Sequence, residues 1–176
     1  MTKSVVIVFL LALPVFAQDQ AGAARTAAGC GPKEARFDVK TDAKQHPMPE
    51  SESGKSLIYV FQDERRDPNI NYMGQHPTTR VGLDGAWIGA NHGKSYFFHA
   101  IEPGGHRLCS DWQSSLHGKL GSAVGFTAEA GKIYYFQTNV EERPNYPPRL
   151  KLEEIDSAQG QFLVSSSSLS TSQTKK

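Results

Sequence analysis

The sequence has almost no excess charge of either sign. Its 19 lysines and arginines stand against 18 aspartates and glutamates, so the formal net charge is +1 over 176 residues. A chain so balanced has no field that would steer it onto nucleic acid or an anionic membrane surface. We therefore expect no nucleic-acid partner. The length and a hydrophobic content of 38% suit one domain with its own core.

The sequence also lacks a long apolar run anywhere beyond its first residues. There, Lys3 precedes the apolar run Val5–Leu13, and Val15-Phe16-Ala17 then offers small residues at the two positions that a signal peptidase reads. This run is too short to remain as a membrane anchor. We predict a signal peptide over residues 1–17, export to the periplasm or extracellular space, and no transmembrane segment.

Cysteine is scarce, because Cys30 and Cys109 are the two in the chain. In an exported protein such a pair predicts a disulfide, which would close a loop of about 80 residues and stabilise the fold by roughly 4 kcal/mol. The alternative is a lipid anchor on Cys30, because Ala27-Ala28-Gly29-Cys30 resembles the end of a lipoprotein signal. Polar residues between the apolar run and this box, among them Arg25, favour the disulfide.

Sequence motifs of catalysis are missing as well. The chain has no Gly-x-Ser-x-Gly, no glycine-rich phosphate loop between a strand and a helix, and no free thiol if the cysteines are bridged. Paired carboxylates of a hydrolase stay open, because their pairing is spatial. We therefore expect no catalytic residues, with a metal-dependent or other hydrolase as an alternative.

Short metal-ligand spacings, such as His-x-His or Cys-x-x-Cys, do not occur. Neighbouring strands could bring two or three of the following histidines together for a zinc ion: His92, His99, His106 and His117. Asp67, Asn69 and Asn71 alternate like the first ligands of an EF-hand loop, but Tyr72 occupies the place of the required glycine. Structural histidines and turn-forming residues explain both patterns, so we predict no metal and no cofactor.

The chain is rich in short apolar and aromatic runs separated by turn residues. The central stretch Val81–Cys109 contains three such turns, at Asp84-Gly85, Asn91-His92-Gly93 and Pro103-Gly104-Gly105. Ser56–Gln62 is an almost continuous apolar run that predicts a central strand. Further runs predict strands at Phe37–Val39, Arg107–Trp112, Ser122–Ala128 and Lys132–Val140, with an edge strand at Arg149–Ile155.

This spacing predicts an all-β, mostly antiparallel sandwich of about seven or eight strands. We expect a flexible linker over residues 18–29 and a sandwich domain over residues 30–164. A short helical turn is expected over Asp156–Leu163. The serine-rich tail, residues 165–176, cannot bury apolar surface, and we expect it to be disordered.

Five segments carry a resemblance to a known family. They are Cys30–Pro32, LIYVFQ at Leu57–Gln62, LDGAWIGAN at Leu83–Asn91, SYFFHAIEPGGHRLC at Ser95–Cys109 and AEAGKIYYF at Ala128–Phe136. Together they resemble the domain of unknown function 2846 family of secreted bacterial proteins. The resemblance implies a secreted β-sandwich of prealbumin-like or immunoglobulin-like outline. It implies no established activity and brings no catalytic residues.

These observations favour an exported, non-catalytic module of the cell envelope or extracellular space, with a binding or structural role toward an unidentified partner. The alternative outside enzymes is a glycan-binding module, because flat aromatic faces stack on sugar rings. The aromatic residues near predicted loops and turns are Trp87, Trp112, Tyr72 and Tyr146. The burial of Trp87 and Trp112 discriminates between the two interpretations.

Overall fold

The computed structural model describes residues 30–63, 78–113, 121–143 and 146–175. The predicted signal peptide and linker lie outside these residues, as do Asp67, Asn69, Asn71, Tyr72 and His117. The elements, in chain order, are β1 (Phe37–Asp42), β2 (Ser56–Gln62), β3 (Thr78–Leu83), β4 (Ala86–His92), β5 (Ser95–Ile101), β6 (Gly104–Trp112), β7 (Gly121–Ala128), β8 (Ile133–Arg143), β9 (Tyr146–Ile155), α1 (Ser157–Ser166) and β10 (Ser168–Thr174).

The strands form two sheets. The larger sheet has the order β1-β10-β5-β2-β8-β9, and the smaller sheet has the order β4-β3-β6-β7. Most neighbours are antiparallel, but β2 pairs in parallel with β8, and β10 pairs in parallel with β5. The prediction of an all-β sandwich with a short helix near the C-terminus is confirmed. Ten strands are described instead of the expected seven or eight.

Strand β2 lies between β5 and β8, and every one of its residues is buried. Alternation along the strand sends Ile58 and Val60 toward the smaller sheet, where both belong to the core between the sheets. Val81 and Leu108 reach the same core from the smaller sheet. The expected central strand is confirmed, and its continuous apolar run reflects burial on both faces.

The outer face of the larger sheet carries a second core built from aromatic rings. Tyr59 has its ring centroid 5.3 Å from that of Tyr135 and 6.2 Å from that of Tyr96, and Phe61 lies 5.6 Å from Tyr96. Helix α1 covers these rings with Leu163 and Val164. These contacts explain why the aromatic side of β2 is not open to solvent.

Helix α1 begins at an N-cap and lies close to the sheet. The carboxylate of Asp156 accepts a hydrogen bond from the backbone N–H of Gln159 at 2.9 Å, which satisfies one free donor of the first turn. Gly160 faces the ring of Tyr135 so closely that a Cβ atom at this position would collide with it. The absence of a side chain at Gly160 therefore sets the distance between helix and strand.

The expectation of a disordered tail over residues 165–176 is wrong. Ser165 and Ser166 end α1, and Ser168–Thr174 forms β10, which joins β1 to β5 inside the larger sheet. The hydroxyl of Ser170 donates to that of Ser95 at 2.8 Å. The prediction was based on the low hydrophobicity of the tail. This strand is instead held by backbone hydrogen bonds on both sides and by contacts of its hydroxyl groups. The domain extends beyond residue 164 to Thr174.

Serine hydroxyls also connect the two sheets at both sides of the sandwich. On one side, the backbone N–H of Ala90 in β4 donates to the hydroxyl of Ser172 at 3.1 Å. On the other side, the backbone N–H of Leu152 in edge strand β9 donates to the hydroxyl of Ser122 in β7 at 3.1 Å. Each contact satisfies a donor that an open strand edge would leave free.

Removal of the tail tests the role of β10. A chain that ends after Ser167 should lose much more stability than a point variant, because β1 and β5 lose their shared neighbour. Ser172→Ala should lower the free energy of unfolding by about 1 kcal/mol, because the N–H of Ala90 loses its acceptor. The exposed Thr171→Ala is the control and should stay within about 0.5 kcal/mol of the parent in urea melts. Unchanged stability after truncation would contradict the ordered tail.

The buried tyrosines make stability depend on alkaline pH. Burial raises the pKa of Tyr59 and of Tyr96 to about 12 from an ordinary value of 10.0. Because the folded state keeps these phenols protonated, their contribution is complete below pH 10 and is lost as the pH rises toward 12. Urea melts across this range should show falling stability, and absorbance at 295 nm should show late ionisation. The same slope in the variant Tyr59→Phe/Tyr96→Phe would argue against this cause.

Candidate functional site

The N-terminal strap, defined here as residues 30–36, lies on the outer face of the smaller sheet. Cys30 and Cys109 form a disulfide with a Cα–Cα distance of 5.6 Å, which joins the strap to β6. Gly82 lies directly beneath Cys30, and a Cβ atom there would collide with the Cys30 carbonyl group. The disulfide, together with the absence of a side chain at Gly82, lets the strap pack directly against the sheet.

Arg80 is the charged centre of the surface beneath the strap. This residue is only 5% exposed, and its guanidinium donates to the carbonyl oxygens of Lys33 and Ala35. It also pairs with the carboxylate of Asp111 on β6. A buried guanidinium needs such a charge partner and acceptors, because desolvation would otherwise be costly. Arg80 therefore binds the strap through main-chain oxygens.

Trp87 completes this surface. The guanidinium carbon of Arg80 lies 4.5 Å from the centroid of the Trp87 ring, in a cation–π arrangement. The indole Nε1–H of Trp87 donates to the carbonyl of Pro32 at 2.8 Å. A Cβ atom on Gly31 would lie 2.6 Å from the same Nε1. The indole is thus half-buried and in contact with the strap.

The aromatic residues singled out for ligand stacking are not gathered on one face. Trp112 is 7% exposed and faces the interior, since it alternates along β6 with the outward Asp111. Trp87 faces the strap instead. Tyr146 begins β9, but its side chain is not described, and Tyr72 lies outside the described residues. Among these four, the structure brings no two rings together as a platform in the parts of the chain it describes.

Asp84 and His106 link two of the turns that the sequence marks. Asp84 and Gly85 have φ angles of 51° and 91°, as a two-residue hairpin turn between β3 and β4 requires. One carboxylate oxygen of Asp84 lies 2.7 Å from Nδ1 of His106, and the other accepts from the backbone N–H of Arg107 at 2.8 Å. Nε2 of His106 lies 2.7 Å from the carbonyl oxygen of Glu102. Both ring nitrogens of this buried histidine are therefore used inside the fold.

Two further histidines singled out in the sequence, His92 and His99, lie on β4 and β5. His92 ends β4, with Nδ1 3.0 Å from the hydroxyl of Thr78. His99 lies in β5, where burial lowers the pKa of its imidazole. Within residues 30–63, 78–113, 121–143 and 146–175, no group of three or more histidine, cysteine, aspartate or glutamate residues could hold a metal ion. His117 lies outside these ranges.

A cleft of about 320 Å³ opens where β8 begins, β9 ends and α1 starts. Its lining residues are Glu129, Lys132, Ile133, Tyr134, Tyr135, Glu154, Ile155, Asp156 and Ser157. Ile133 is 38% exposed, although it stands beside the aromatic core. The backbone N–H of Glu129 donates to the hydroxyl of Tyr134 at 3.0 Å and so fixes the preceding turn. Sequence reasoning missed this cleft, because the register of β8 against β9 brings its walls together.

The fold is a two-layer β-sandwich whose outer faces are covered by a helix and by a disulfide-linked strap. The family model described as protein of unknown function DUF2846 matches residues 52–147, which is more than half of the chain. The chain therefore belongs to this family, and the resemblance drawn from the sequence is confirmed. No curated protein and no solved structure matches the chain. No helix in the described residues is long and apolar enough to cross a membrane.

The contacts of Asp84 can be tested by two substitutions at one position. Asp84→Gly keeps the left-handed turn but removes the carboxylate, so it should lower the free energy of unfolding by about 2–4 kcal/mol. Asp84→Asn should cost less than half as much. Its amide can accept from Arg107 N–H and donate to Nδ1 of a neutral His106, whose Nε2–H then donates to Glu102. Equal losses in urea melts would contradict this assignment of donors and acceptors.

Proposed function

We propose that this protein is an exported β-sandwich module of the cell envelope or extracellular space that binds a partner protein and catalyses no reaction. Its disulfide supports export, because such bridges persist in oxidising compartments. We infer the absence of catalysis from the contacts that its buried reactive side chains make inside the protein. Arg80 and His106, which are both buried, use their polar atoms to hold the fold together.

Two pairs illustrate this use. His106 and Asp84 resemble part of a catalytic triad in composition, but both imidazole nitrogens already contact oxygen atoms of the protein. A general base must offer one free nitrogen toward a substrate. Arg80 and Asp111 pair with each other, and Arg80 also binds the strap. These groups stabilise the arrangement of turns and strap.

The cleft at the end of β9 is the surface that we assign to the partner. Exposed Ile133 provides an apolar contact, and Tyr134 stands beside it. Glu129 and Glu154 face the same cleft with one cation, Lys132, in its lining. An apolar contact with an acidic rim complements a protein surface that presents lysine or arginine around an apolar residue.

The glycan-binding alternative receives no support from the tryptophans. Stacking on a sugar ring requires an open aromatic face. Trp112 lies in the interior, and Trp87 contacts Arg80, Gly31 and Pro32. For the metal-dependent hydrolase alternative, the described residues contain no group of three or more histidine, cysteine, aspartate or glutamate side chains that could hold a metal ion. We therefore retain the binding module as our proposal.

Site-specific photo-crosslinking tests this proposal in the cells that produce the protein. A crosslinking residue at Ile133 should give one discrete adduct in the exported fraction. The same residue at exposed Ala123, on the outer face of β7, should not give it. Glu154→Lys should weaken the Ile133 adduct by about tenfold, because it opposes a basic partner.

Intact mass of the recovered protein provides the second readout. The mature chain should begin near Gln18 and carry no lipid. A chain retained in the cytoplasm, or acylated at Cys30, would contradict the assigned export route. Identical adducts from Ile133 and Ala123, or none from either, would contradict binding at the cleft.

A further inference from the structure

The N-terminal strap is attached to the sandwich by one covalent bond and a small set of main-chain contacts. Cys30 supplies the covalent bond, and the carbonyls of Pro32, Lys33 and Ala35 accept hydrogen bonds from Trp87 and Arg80. The side chains of residues 32–34 are exposed. The strap therefore holds its place through its backbone and its disulfide and not through buried side chains.

The chain beyond the strap is anchored independently. The backbone N–H of Phe37 donates to the side-chain oxygen of Gln113 at 2.7 Å, and the Gln113 amide donates back to the Phe37 carbonyl at 2.9 Å. From Phe37 onward, β1 pairs with β10 over its full length. A movement of the strap would therefore stop at Phe37 and leave the larger sheet intact.

The surface under the strap also has its own support. Arg80 pairs with Asp111 on the neighbouring strand and lies over the ring of Trp87. Both contacts remain when the strap is absent, because none of these three residues belongs to it. These two contacts of Arg80 therefore do not depend on the strap.

The two cysteines differ in access. Cys109 is 1% exposed, whereas Cys30 is half-buried in the strap. Because Cys30 is the more exposed residue of the two, we expect a thiolate from solvent to attack its sulfur, with Cys109 as the leaving group.

We propose that the Cys30–Cys109 disulfide is a redox-sensitive tether whose reduction releases the strap and uncovers the Arg80–Trp87 surface. A dithiol reductant supplies the two electrons. Its first thiolate bonds to the sulfur of Cys30 and expels the Cys109 thiolate, which takes up a proton. Its second thiolate then closes the disulfide of the reductant and expels the Cys30 thiolate, which is protonated in turn.

This proposal goes beyond stabilisation by a disulfide, because it requires local release without loss of the fold. Such local openings have their own free energy, separate from that of global unfolding. The strap offers a trypsin site after Lys33. The Arg36–Phe37 bond is held separately, because the Arg36 carbonyl accepts from the backbone N–H of Lys175 and the Phe37 N–H donates to Gln113. Lys94, in the turn between β4 and β5, offers a site whose cleavage reports opening of the sandwich itself.

The experiment is limited trypsin digestion of the mature protein with and without dithiothreitol, followed by mass spectrometry. Reduction should accelerate cleavage after Lys33 by about tenfold or more, while cleavage after Arg36 and after Lys94 stays slow. The variant Cys30→Ser/Cys109→Ser should be cleaved as fast as the parent protein in dithiothreitol, whether or not dithiothreitol is present. Acrylamide quenching of tryptophan fluorescence should increase on reduction in the parent but not in Trp87→Phe, where buried Trp112 remains.

Two results would overturn the proposal. Equal cleavage of the strap in oxidised and reduced protein would show that the disulfide does not control it. Accelerated cleavage after Lys94 or Arg36 together with Lys33 would show that the disulfide maintains the whole fold and is not a local tether. An increase in quenching that persists in Trp87→Phe would lead to the same conclusion.

Discussion

The larger sheet is apolar on both of its faces at β2, and the fold depends on covering each of these faces. Leu57, Tyr59 and Phe61 face outward from β2, while Ile58 and Val60 face inward. The smaller sheet covers the inner face, and α1 with the segment before β2 covers the outer one. In that segment, the carbonyls of Pro47 and Pro49 accept hydrogen bonds from Tyr96 and Tyr59 at 3.4 and 3.5 Å. Burial of the outer rings accordingly requires the C-terminal helix.

This requirement explains why the serine-rich tail is ordered. Once α1 crosses the outer face, Ser168 follows it directly to the edge of β5, and Ser168 N–H donates to the carbonyl of Lys94 at 3.2 Å. Leu169 then packs against the outer core, and β1 pairs with the far side of β10. The tail completes the larger sheet through backbone pairing. Its serine side chains are small enough to fit on either face of that sheet.

The sequence predicts those features that depend on neighbouring residues. Asp84-Gly85 indicates its hairpin because the backbone angles of that turn suit those two residue types, and Leu57–Gln62 indicates a central strand because its apolar run is continuous. The disulfide could be predicted because the chain has two cysteines and its first residues predict export. Strand β10 could not be predicted in this way, because its stability comes from β1 and β5, which lie far away in the sequence.

The candidate sites show the same division. No pattern in the sequence singles out Arg80, and only the register of β3 against β6 places it beside Asp111. The cleft combines Ile133 with Glu154 through the pairing of β8 and β9, which no local pattern encodes. The sequence shows which chemical groups are present. Which of these side chains lie together depends on the strand order, which the sequence does not show.

The family model matches most of the sandwich but not the two segments that cover its outer faces, the N-terminal strap and helix α1. Asp84, His106, Arg80 and Trp87 all lie within residues 52–147, whereas Cys30, α1 and β10 lie outside them. The matched part thus supplies the inner core apart from Leu152, and also the surface beneath the strap. The two covers, a helix over the aromatic rings and a strap over Arg80, come from the flanking parts of the chain. They differ in kind, because apolar burial holds the helix, while a covalent bond and main-chain oxygens hold the strap. A change of redox conditions acts on the second cover and leaves the first in place.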